Sequence, residues 1–174
     1  MIMKRIVFFI LVFSMFITAC ATKQTNSSDI SLDTLVNDIT KEYGLTDGFV
    51  FTSSSDELGE YLDDDLILSY YGDATDVPDF SKISDYCVYI DESDANVIID
   101  VGIFHMKDTS YGKVFAEYIQ TRIDDKIEDS EEYPTIDVPT LEAGVIGQEG
   151  EYVYYVVSYD VDEIVKDIEA ALKQ

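Results

Sequence analysis

Apolar residues recur at helical spacing from the first turn of the region that follows residue 30. Leu32, Leu35, Val36, Ile39 and Tyr43 fall on one face, Ser31 stands where a cap belongs, and Gly44 can end the run. The spacing predicts a helix over Ser31–Tyr43. The stretch "SDELGEYLDDDLILSYYG" predicts a second short helix, or a pair of turns, stopped by Gly72. "DATDVPDF" reads as a turn-rich connection, because Pro78 disfavours the helical region for Val77. The pattern then changes period. "DYCVYID" (85–91) and "NVIIDVGIFHMKD" (96–108) have strand character and flank "ESDA", a hairpin loop. Tyr111, Phe115, Ile119, Ile123 and Ile127 return every four residues and predict a long helix over Thr109–Glu128. "EEYPTIDVPT" reads as a Pro-containing loop. "LEAGVIG" and "YVYYVVSY" form a second hairpin around Gln148, Glu149 and Gly150. A last helix starts near Asp160, which with Glu163 has capping-box spacing, and carries Val161, Ile164, Val165, Ile168 and Leu172 on its apolar face.

Hairpins and helices segregated in this way indicate an α+β fold: a mainly antiparallel sheet of about four strands, built from two hairpins, packed with helices and preceded by N-terminal helices. Residues 31–174 form one domain of ordinary size. Residues 20–30, polar and without periodicity beyond the first, form a tether.

The first nineteen residues differ from all of this. The apolar run from Ile6 to Ala19 follows Lys4 and Arg5 and is shorter than the roughly 17 residues a membrane-spanning helix needs. A basic start, a short apolar centre and small residues at its end describe a secretory signal peptide over residues 1–19. Ile17-Thr18-Ala19-Cys20 resembles a bacterial lipobox. That resemblance implies that the Cys20 thiol receives a diacylglycerol and that the peptide is cut before it. The expected location is the extracytoplasmic face of the cell membrane.

Charge then limits the partners. The chain has 36 acidic and 11 basic residues and a formal charge of −25, and loss of Lys4 and Arg5 makes it two units more negative. Phosphate backbones are bound by basic patches, so nucleic acid is excluded as a partner. An anionic surface repels the folded part as well. Attachment to a membrane therefore rests on lipid, and two acyl chains anchor stably where one does not. With Cys20 lipidated, only Cys87 remains, and no intramolecular disulfide forms.

"DVGIFHMKD" entering a long helix, then "EDSEEYPTIDVPTLEAGVIGQEGEYVYYVVS" and a closing helix, resemble an uncharacterised family of bacterial lipoproteins. That family, mostly from Gram-positive bacteria, carries a domain of unknown function behind a lipobox. The similarity covers roughly residues 30 to 172. It implies secretion and lipid anchoring, and it brings no catalytic residues.

Candidate chemistry is sparse. His105 is the only histidine, so a Ser-His-Asp or Cys-His mechanism would pass through it. Alternation places it near a sheet edge as a partly exposed strand residue. Cys87 lies in an alternating run with no basic neighbour to activate it, and reads as a small packing residue. The acidic runs are 63–65, 91–94, 124–125 and 128–132. None has calcium-loop spacing with Gly at its sixth position, and the ligand types for a zinc site are lacking. Asp100 is the best single acidic candidate because it interrupts "VIIDVGIF". Alternation sends it to the face opposite Ile99, Val101 and Ile103, where it reads as solvent-facing. Tyr152 and Tyr154 occupy one strand face, Tyr155 and Tyr159 the other, so helices are expected over one side of the sheet and part of the other. Exposed tyrosines suit sugars or protein partners.

The sequence-based expectation is a non-enzymatic cell-surface lipoprotein domain, with Cys20 as its lipidation site and no catalytic residues, metal ligands or cofactor. Its partners are the membrane, through the lipid, and an unidentified protein or glycan. The alternatives are an extracytoplasmic hydrolase using acidic residues and a divalent-cation-binding surface protein.

Overall fold

The computed structural model describes residues 30–173 apart from positions 74 and 95. The expected signal peptide, the Cys20 lipidation site and the tether up to residue 29 lie outside the described residues.

Helix α1 (Leu32–Glu42) starts where Ser31 accepts a hydrogen bond from the Thr34 amide, and Gly44 adopts the left-handed φ of 68° that lets the chain turn away. A short strand β1 (Phe49–Thr52) follows. Asp63 caps α2 (Asp64–Tyr71) by accepting from the Leu66 amide at 2.9 Å, and Gly72 ends it. One 3₁₀ turn (Phe80–Lys82) leads into strands β2 (Ile83–Asp94) and β3 (Val97–Met106). Helix α3 (Thr109–Asp129) is capped by Asp108. Then come α4 (Val138–Glu142), strands β4 (Val145–Glu149) and β5 (Tyr152–Val157), and helix α5 (Val161–Leu172).

The fold is α+β with an antiparallel sheet, as expected, but the sheet has five strands in the order β1-β2-β3-β5-β4. Strand β1 was not expected. Its four residues are too few to show a period, and pairing with β2, Phe49 opposite Ile90 and Thr52 opposite Cys87, is what makes them a strand. The loop reading of 131–140 also needs correction, since α4 starts inside it and takes in Leu141 and Glu142, which were expected in the next strand; that strand begins only at Val145. Pro139 falls in the first turn, where its missing N–H costs nothing, and Asp137 caps the turn through the Thr140 amide. The first hairpin is tighter than "ESDA" implies, because Asp94 pairs with Val97. Asp160 makes no side-chain cap bond, so the expected capping box at α5 does not form.

Alternation along the strands supplies two cores, one on each face. On the first, Phe51, Tyr86, Val88, Ile90, Phe104, Val153, Tyr155 and Val157 meet Ile67 and Tyr71 of α2, Phe115, Ile119 and Ile123 of α3, and Leu141. On the second, Cys87, Tyr89, Ile99, Val101, Ile103, Tyr154 and Val156 meet Leu32, Val36 and Ile39 of α1 and Ile164, Ile168 and Leu172 of α5. Helices thus cover both faces, more fully than the tyrosine pattern suggested. Among the described residues, no helix is long and apolar enough to cross a membrane.

Candidate functional site

Arg122 sits on α3 among residues that should be apolar. Tyr118, Arg122 and Lys126 are four apart and so share one helix face, which looks toward the end of α2. The Arg122 side chain is only 5% exposed, a costly position for a charge without a partner. Asp100 supplies one. Its Oδ2 accepts from Arg122 Nη2 at 2.8 Å and from Nε at 3.1 Å. Arg122 Nη2 also reaches Glu92 Oε1 at 3.3 Å, and Lys126 Nζ lies 3.5 Å from that same oxygen. The guanidinium lies 4.7 Å from the Tyr70 ring centre, a cation–π contact.

Asp100 is therefore not solvent-facing. It does point to the side opposite Ile99, Val101 and Ile103, but α2 and α3 cover that side and leave it 2% exposed. Its Oδ1 is buried with no hydrogen-bond partner among the described residues. Burial pushes its carboxyl above the ordinary range, against the pull of Arg122. Burial works against the Arg122 cation too, yet the Asp100 charge holds that group protonated beyond its usual value.

A cleft of about 160 Å³ opens beside this pair, between the end of α2 and the middle of α3. Tyr70, Tyr71, Asp73, Asp76, Tyr118, Arg122, Asp125 and Lys126 form most of its wall. Two hydroxyls, of Tyr71 and Tyr155, meet at 2.9 Å in the core behind it, and burial raises both phenols above their ordinary value. The Tyr155 ring lies over Gly102 so closely that a Cβ there would collide with it. Glycine at 102 is thus what allows the aromatic layer to close against the sheet. At the mouth, Tyr118 donates to Asp76 Oδ1 at 2.9 Å. Asp73 Oδ1 accepts from the Thr75 hydroxyl and amide, both at 2.6 Å, and from the Asp76 amide at 2.9 Å, which lowers its pKa.

The other sequence candidates do not join this site. His105 is on the central strand, near its end rather than at a sheet edge, and projects to the α1/α5 side. Its ring stacks on Tyr152 with centres 4.4 Å apart, and Nε2 is 3.3 Å from Glu151 Oε2. Cys87 is fully buried on that same side, and desolvation pushes its thiol up, which disfavours the reactive thiolate. The acidic runs have separate structural duties. Asp63 caps α2, Asp91 accepts from the Ser93 amide, Asp94 from Asn96 and Asp124 from Gln120. Among the described residues, no three His, Cys, Asp or Glu side chains gather as a metal site. Tyr154 donates to Glu169 at 2.7 Å on the α5 side, and Tyr155 is buried on the other.

The sequence reading passed over Arg122. Two signals pointed to it. It is the only arginine after Arg5, and it adjoins the apolar stripe of α3, while Asp100 breaks an apolar strand. Opposite charges placed in two apolar patterns are candidates for pairing across the core.

No curated protein and no solved structure matches the chain. Part of it does match a family model, and the matched stretch runs from just before the 3₁₀ turn to the end of β5. It includes Asp100 and Arg122 and excludes α1, β1, α2 and α5, so the cleft takes one wall from the matched stretch and the other from outside it. Residues 79–158 match the model of DUF4358, a domain of unknown function.

Proposed function

We propose that this chain is a lipid-anchored domain on the extracytoplasmic face of the cell membrane, and that it binds a small polar ligand in the α2–α3 cleft without altering it. The observation that carries the binding site is Arg122, a buried cation in the wall of an open cleft. A buried ion pair is poor stabilisation compared with apolar residues of the same volume. A guanidinium fixed by a carboxylate and an aromatic ring is, however, a preorganised recognition group.

Binding is favoured over catalysis by the placement of the reactive residues. His105 and Cys87 lie on the opposite side of the sheet from the cleft, and Asp100 is engaged by Arg122. The lipid anchor rests on the lipobox resemblance at Cys20 and on a charge of −25, which leaves acyl chains rather than basic residues to hold the membrane. The partners are the membrane, through that lipid, and a small ligand presented free or as part of a protein or glycan, with nucleic acid excluded.

Amide NMR of the full chain in detergent micelles, titrated with sugars, amines, carboxylates and amino acids, tests the cleft. Shifts concentrated in residues 69–76 and 118–126 are expected. Shifts located elsewhere, no shifts, or conversion of an added compound would overturn the reading. Fatty-acid labelling of cells tests the anchor: Cys20→Ser should abolish the label, and equal label in mutant and parent would sink the lipoprotein assignment.

A further inference from the structure

The sheet ends on a short strand at each edge, and the two edges are finished differently. The outer side of β1 is covered by the loop that follows it, where the Thr52 amide donates to the Glu60 carbonyl at 2.8 Å. Register shows which groups β4 turns outward at the other edge. In an antiparallel ladder the N–H and C=O of successive residues point to opposite sides. The Met106 amide donates to the Glu151 carbonyl at 2.8 Å, so Glu151, Val153 and Tyr155 bond toward β3. Tyr152, Tyr154 and Val156 then bond toward β4, where their partners are Glu149, Gly147 and Val145. Ile146 and Gln148 are left with N–H and C=O directed away from the sheet. Among the described residues, no backbone group outside the sheet meets them. The Gln148 side chain does not cover them either, since its Nε2 donates to the Thr109 and Gly150 carbonyls, both at 3.1 Å.

Exposed edges are ordinarily blunted by lysine, proline or a bulge. Val145–Glu149 reads VIGQE, with neither lysine nor proline, and pairs with β5 without a register shift. Helices flank the edge without closing it. Gln148 reaches the start of α3 on one side, and Glu149 lies 3.8 Å from Lys173, just past α5, on the other. We infer that β4 is a docking edge for an extended, basic segment of a partner protein, which adds a strand through the main-chain groups of Ile146 and Gln148. This surface is separate from the α2–α3 cleft, and neither depends on the other.

Charge selects the occupant. Glu142, Glu149 and Glu151 lie in β4 or at its ends. Of the nearby cations, Lys173 is already held by Glu169 at 2.7 Å and by Glu149 at 3.8 Å. Lys113 follows Gly112, the α3 residue that packs against Gln148. A second copy could offer the same edge in return, but it would bring another −25 charge against this one. A basic segment meets the opposite field, which speeds its encounter and rejects acidic competitors. The main chain of such a segment supplies the hydrogen bonds, and its lysines or arginines supply the preference.

The test is amide NMR with hydrogen exchange on the full chain in non-ionic detergent micelles. The probes are a short capped peptide of alternating lysine and valine and its counterpart with glutamate for lysine. In the free chain, the Ile146 and Gln148 amides should exchange faster than those of Val145, Gly147 and Glu149, which lie inside the ladder. The basic peptide should slow exchange at Ile146 and Gln148 about tenfold at saturation, and the acidic peptide should bind about tenfold more weakly or worse. Gln148→Pro removes an outward N–H, which an edge strand tolerates, and should weaken the basic peptide about tenfold. Gln148→Ala, which loses only the side-chain bonds, should keep it. Equal binding of the two peptides, or no added protection with the basic one, would overturn the inference. Full affinity in Gln148→Pro would reduce the binding to diffuse charge attraction and overturn it too. Protection at Ile146 and Gln148 that grows with protein concentration alone would make the occupant a second copy, against the inference. Should the proline variant lose its native spectrum, the exchange pattern of the parent chain still decides.

Discussion

The two faces of the sheet use the same strands and differ in what they tolerate. The α1/α5 face is sealed by aliphatic side chains, with its polar contacts at the rim, where Tyr43 donates to Asp167 and Tyr154 to Glu169, both at 2.7 Å. The α2/α3 face is aromatic. Tyr71, Phe80, Phe104, Phe115 and Tyr155 pack edge to face or offset, and an ion pair is sunk among them beside an opening. Alternate residues of one strand, Ile99 and Asp100, thus enter environments that treat charge in opposite ways. The lesson is that both faces exclude water, but only the second keeps a charge pair buried beside an opening.

The largest effect should come from breaking the ion pair. Arg122→Met leaves Asp100 buried without a counter-ion and should cost about 4 kcal/mol in urea unfolding. Adding Asp100→Val should recover most of that loss, because an apolar pair needs no solvation. A single variant as stable as the parent would erase the contrast between the faces. On the sealed face Ile168→Ala should cost about 3 kcal/mol through its cavity, and no second substitution of one polar partner should restore it. Cys87→Ala, on that face too, should cost about 1 kcal/mol and leave the cleft signals unchanged. Rapid reaction of Cys87 with a thiol reagent in the folded protein would show that this face opens.

The smallest effect separates the helix starts. Asp108 caps α3 by accepting from the Ser110 amide at 2.8 Å, and that bond holds its carboxyl below the ordinary range. A carboxyl depressed on folding adds stability above its unfolded pKa, about 3.9, and loses it as pH falls through the lower folded value. Asp108→Ala should therefore lower Tm by a few degrees at neutral pH, with the deficit vanishing in acid. Asp160, which caps nothing at α5, serves as the control. An equal, pH-dependent deficit in Asp160→Ala would contradict the assignment of caps.

Much of this architecture was legible in local patterns. Helices α1, α3 and α5 follow from apolar spacing, and both hairpins from alternation. Strand β1 was not, because its existence depends on β2, some forty residues away. The α4 turn was hidden by two prolines, one of which is compatible with a helix start. The site was the least legible part. Alternation assigned Asp100 to the correct side of β3, but whether that side meets water depends on where α2 and α3 lie, and a one-dimensional pattern does not contain that. Arg122 became meaningful only when Asp100 was found opposite it.

The sealed face also joins segments far apart in the sequence. Its cover is contributed by the two ends of the described chain, α1 before the sheet and α5 after it, tied by the Tyr43–Asp167 bond across 124 positions. Until α5 docks, Val101, Ile103, Tyr154 and Val156 lack the cover of Ile164, Ile168 and Leu172. Contacts between such distant segments form late, because the loop between them must close first. Docking of α5 against the sheet is therefore expected to close this face after the hairpins have paired. Helix α5 acts as a latch: its docking covers the part of this face that α1 does not reach.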